Sequence, residues 1–145
     1  MYRTALLALM ALAIAAAPAA AADMVLASAD ATPLSEHAVG KPYWILQAQC
    51  AGLYGATANF NADKGRDKVA SGDQQMGVNF MNDAIERLQH DRKLDFEAAL
   101  SLAGAQVDIA RNHSRALLDE HRRDAWNAER SFCLDVYDAY HHARR

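Results

Sequence analysis

The chain has 145 residues, with 15 basic against 18 acidic side chains and a net charge of −3 when its histidines are neutral. An acidic balance with basic residues scattered along the chain argues against nucleic acid or anionic lipid as a partner. Arg144 and Arg145 form a basic pair at its very end.

Residues 1–22 read as a cleavable secretory leader. One positive charge, Arg3, precedes an apolar run from Ala5 to Ala17; Pro18 interrupts it, and Ala20, Ala21 and Ala22 offer small side chains for cleavage before Asp23. The run is about 13 residues, short of the roughly 20 that span a bilayer, so a permanent transmembrane anchor is not expected. No cysteine follows it to carry a lipid. Loss of the leader removes Arg3 and leaves 14 basic against 18 acidic residues, a net of about −4 on roughly 123 residues, enough for one core.

Residues 23–41 read as a flexible leader containing a short helical turn that Thr32 and Pro33 open and Gly40 closes. The helical domain then occupies residues 42–145. Its first helix is predicted over 42–60, with Tyr43, Leu46, Cys50, Leu53, Tyr54, Thr57 and Phe60 at three- and four-residue steps. A second line, Ala48, Gly52, Gly55 and Ala56, is small. Glycine inside a helix costs roughly 1 kcal/mol against alanine, so the close approach of a neighbouring helix should offset it.

Residues 61–72 read as a solvated connection. Asp63, Gly65, Asp67 and Gly72 lack the acidic spacing and closing glutamate of a calcium loop. Ser71 to Gln74 fits a capping box that starts a second helix over 73–92, buried through Met76, Phe80, Met81, Ala84, Ile85 and Leu88, with Asp83 and Arg87 on its wet side. Asp95 is the expected cap of a third helix whose stripe runs through Phe96, Ala99, Leu100, Ala103, Val107, Ala110, Ser114 and Leu117. A break between Asp119 and Asp124, with Asp124 as the cap, separates it from a fourth helix carrying Trp126, Arg130, Cys133, Tyr137 and Tyr140. The alternative break is at Asn112 to Ser114.

Cys50 and Cys133 are the two cysteines, and in an exported chain they are expected to pair as a structural disulfide. In the chain-entropy description so long a loop contributes about 4–5 kcal/mol. Cys50 lies about 12 Å from the start of the first helix and Cys133 about 13.5 Å from the end of the last, at 1.5 Å per residue. The two meet only if those helices run antiparallel. This gives an all-α, small up-down four-helix bundle with one long-range disulfide between first and last helices. Paired positions then sum to about 183: Tyr43 with Tyr140, Leu46 with Tyr137, Thr57 with Trp126. The aromatic layers, with Phe132 and Val136, make the last helix the expected centre of the core.

No nucleophile elbow, zinc-protease helix, phosphate loop or haem-attachment motif occurs, so no catalytic, cofactor-binding or metal residues are assigned. His37, His90, His113 and His121 are far apart in sequence. Asp138, His141 and His142 share a helical face, but cations there also suit the negative end of the helix dipole. Glu86, Glu97, Glu120 and Glu129 make no paired set for a di-metal bundle. The expected function is a non-enzymatic exported interaction module, periplasmic or secreted, that binds a protein or cell-envelope partner. The alternative is a small periplasmic metal or haem carrier, with Met76 or Met81 and a histidine as haem ligands.

Overall fold

A computed structural model describes residues 38 and 40–142. It contains four helices and, among the described residues, no strand: α1 (Tyr43–Asp63), α2 (Asp67–Arg92), α3 (Phe96–Asp119) and α4 (Arg123–His142). The expected signal at 1–22, Thr32 and Pro33, and Arg144 and Arg145 lie outside the described residues. Gly40 takes φ 78° in a turn where the Lys41 N–H donates to the Ala38 carbonyl at 3.1 Å.

The bundle is organised around its first helix rather than its last. α1 buries 14 of its 21 residues, spread around its circumference, whereas α4 buries only Glu129, Cys133, Val136 and Tyr140. The reason lies in side-chain size. Ala48, Ala51, Gly52, Ala56 and Ala58 let α2 and α3 approach closely, while the bulky side chains of α4 hold its backbone further away. A Cβ at Gly52 would collide with the Val107 carbonyl of α3 and stand 2.9 Å from Ala110 Cβ and Arg111 N. The predicted close approach therefore occurs at Gly52. Gly77 of α2 makes the matching approach, 3.3 Å from the Ala51 carbonyl to where its Cβ would be.

α2 begins at Asp67, six residues before the predicted start, so the capping box at Ser71 is not used. Its first turns run back along the end of α1 and bury Ala70 and Asp73. There Asn61 Nδ2 donates to Asp73 Oδ2 at 2.8 Å, and that buried partner favours continuing the helix past Gly72. Asp83 corrects a second expectation: it is buried, not on the wet side. Its Oδ2 sits 3.2 Å from His141 Nε2, because the end of α4 leans over this part of α2. Arg87 stacks over the rings of Tyr43 and Tyr140.

α3 is capped as predicted, the Asp95 carboxylate accepting from the Ala98 N–H at 2.8 Å. Its inner line is Ala99, Ala103, Val107, Ala110, Ser114 and Leu117, but Phe96 and Leu100 stand out in solvent. The third break falls at residues 120–122, inside the predicted window. Asp124 lies in the first turn of α4, where it complements the helix dipole, and is not the cap.

The disulfide joins Cys50 to Cys133 with their Cα atoms 5.5 Å apart and both cysteines fully buried. The register follows from it. Tyr43 stacks on Tyr140 with centroids 6.0 Å apart, and Trp126 Nε1 donates to Thr57 Oγ1 at 3.2 Å. Tyr137, predicted opposite Leu46, turns edge-on to Phe80 of α2 at 5.6 Å. Burial of Phe80, Leu53, Leu88 and Tyr54 at this centre is worth about 1.5–3 kcal/mol for each apolar side chain.

Candidate functional site: a cationic cleft between two like turns

Two of the three helix connections are built alike. After α1, the Gly65 N–H donates to the Ala62 carbonyl at 2.8 Å and the Arg66 N–H to the Asn61 carbonyl at 2.9 Å, with Gly65 at φ 67°. After α3, the His121 N–H donates to the Leu118 carbonyl at 3.3 Å and the Arg122 N–H to the Leu117 carbonyl at 2.8 Å, with His121 at φ 59°. Both are Schellman turns, which satisfy the last carbonyls of a helix by putting one residue in the left-handed region. Each leaves three residues between one helix and the next, and residues of both turns line one cleft, so the two turns lie at the same end of the bundle.

Between them is a cleft of about 560 Å³, within the range usual for small-ligand sites. Its apolar side is Phe60, Leu117, Leu118 and Trp126, and both aromatic rings are half-buried. Trp126 is anchored from below: its indole donates to Thr57, whose hydroxyl donates in turn to the Leu53 carbonyl at 2.9 Å. Helix α4 contributes Trp126 only because the disulfide register places the start of α4 beside the end of α1.

The rim is positive. Its cations are Lys64 and Arg66 from the first turn and Arg123 from the start of α4; the His121 ring of the second turn stands beside them, and all four side chains are exposed. Asp119 is the sole carboxylate on the lining, and it is already engaged: Arg115 Nε lies 3.1 and 3.0 Å from its two oxygens. The same guanidinium reaches Asp63 Oδ2 at 3.0 Å and lies over the Phe60 ring, as does the Lys64 ammonium. Arg66 and Arg123 make no ion pair among the described residues. Within the lining, Lys64, Arg66 and Arg123 thus outnumber the one carboxylate, Asp119, although the same turns carry the exposed acids Asp63, Asp67, Glu120 and Asp124 outside it.

One buried pair escaped sequence reasoning. Glu129, almost wholly buried on α4, lies 2.7 Å from His113 Nε2 on α3. The hydrogen bond to Glu129 raises the His113 pKa, against the opposing effect of partial burial. The signal was available in the turn: His113 and Glu129 are both eight residues from His121, so an antiparallel hairpin centred there brings them level.

The other sequence candidates are distributed differently. Met76 and Met81 are half-buried packing residues at the edge of the core. The His141 ring lies 4.2 Å from that of Tyr137, and its Nε2 is 3.2 Å from Asp83 Oδ2 of α2. Among the described residues, no group of three or more histidine, cysteine, aspartate or glutamate side chains is arranged to hold a metal ion. No helix among the described residues is long and apolar enough to cross a membrane. The chain matches no family model, and no curated protein or solved structure is detectably similar to it.

Proposed function

We propose that the protein is an exported, non-enzymatic binding module of the periplasm or medium, and that it engages a protein partner through the cleft between its two Schellman turns. The observation that carries this reading is the convergence of three exposed cationic side chains, Lys64, Arg66 and Arg123, on half-buried aromatic rings. An apolar floor with a polar rim is the usual composition of a recognition site. Export is supported by the leader-like residues 1–22 and by a buried long-range disulfide, which suits an oxidising compartment. The carrier alternative is decided by an absorption spectrum and elemental analysis of purified protein.

Site-specific photocrosslinking tests the module reading directly. A photoreactive phenylalanine replaces Asn127 in the cleft, and in a separate variant replaces Asn82, an exposed residue of α2. A discrete adduct from position 127 alone is expected in the cell envelope fraction. Equal labelling from both positions, or none from either, would contradict it.

A further inference from the structure

We infer that the segment recognised by this cleft is acidic and apolar together: one or more carboxylates beside a bulky apolar side chain of a partner protein. The inference rests on the module reading above and adds the chemistry of the partner. Three observations lead to it. The rim cations Arg66 and Arg123 are exposed and without ion pairs among the described residues, and guanidinium groups bind carboxylates through two parallel hydrogen bonds. The lining carboxylate, Asp119, is held by Arg115 and so does not compete for them. Beneath the cations lie Phe60, Leu117, Leu118 and Trp126, which a charge-only ligand would leave uncovered.

The shape separates a peptide from a membrane surface. Membrane docking needs apolar side chains that project into the lipid, whereas Phe60 and Trp126 are half-buried, Phe60 with the Lys64 and Arg115 cations over its ring and Trp126 tied by its indole to Thr57. A volume of about 560 Å³ accommodates a few side chains of an extended segment. It offers no extended track for a polymer backbone.

Trp126 is the built-in reporter. With Trp44→Phe in the otherwise intact exported protein, its fluorescence is titrated with an end-blocked five-residue peptide alternating acidic and bulky apolar side chains, and with the counterpart in which every acid is an amide. A saturable emission change is expected with the acidic peptide, at least about tenfold weaker with the amide one. The double variant Arg66→Glu, Arg123→Glu should lose the response, while unchanged far-ultraviolet circular dichroism shows that it still folds. Equal binding of the two peptides, binding of neither, or binding of anionic phospholipid vesicles in place of the peptide would overturn the inference. Self-association abolished by Phe96→Ser would also overturn it, assigning the cleft to the exposed Asp95–Phe96–Glu97 corner of a second copy. Crosslinks from position 127 without acidic-peptide binding would discard this chemistry and leave the module reading standing; loss of both would discard both.

Discussion

His113 and Glu129 show how a single buried contact sets a pH dependence. An unfolded histidine titrates near 6.5, and in the folded protein the Glu129 carboxylate holds the His113 pKa above that value. Below about pH 6.5 both states carry the proton and the stabilisation is complete; it is lost as pH rises through the folded value. His113→Gln should therefore flatten the fall in urea midpoint between pH 6 and pH 8 relative to the parent, and a parallel fall in both would refute the linkage. At this scale the sequence was uneven in what it revealed. Asp95 was legible as a cap because capping is local, three residues from the N–H it accepts. Asp83 was misplaced because its burial depends on His141, 58 residues away, and no helical periodicity records that.

At the scale of elements, close packing and turn geometry make opposite demands on glycine. Gly52 lies where α3 leaves no space, so Gly52→Ala should lower stability by about 1–3 kcal/mol through overpacking. Gly72 lies in α2 with nothing within 4 Å of its would-be Cβ, and Gly72→Ala should instead raise stability by about 1 kcal/mol. Urea denaturation of the two variants checks the opposed signs; the same sign in both would contradict the packing. The turns give a second pair. His121 occupies the left-handed position that Gly65 fills in the other turn, so His121→Gly should stabilise by about 1 kcal/mol and Gly65→Ala destabilise by a similar amount, read as shifts in thermal midpoint. The start of α2 was the element boundary least visible beforehand. Asp67, Lys68, Ser71 and Gly72 read as a loop because they are polar and small, but the tertiary bond from Asn61 to Asp73 draws them into the helix.

For the whole molecule, the antiparallel register was readable because two cysteines fix one point and the helical rise fixes the rest, which is how Tyr43 with Tyr140 and Thr57 with Trp126 were placed. The identity of the central helix was not readable in the same way. Tyrosine and tryptophan on α4 suggested a core, yet close packing favours the small residues of α1, and aromatic side chains instead bridge a wider gap. The cleft was less legible still: Lys64, Arg66, His121 and Arg123 become neighbours only when two turns are brought to the same end. That arrangement depends on the bond that aligns α4 with α1. Intact-mass analysis of the protein as isolated from cells and medium, alkylated before and after unfolding and reduction, tests it most directly. A chain beginning at Asp23, two hydrogens lighter than its reduced form and taking up two alkyl groups only after reduction, is expected; alkylation of Cys50 and Cys133 without reductant would contradict the architecture and the cleft built on it.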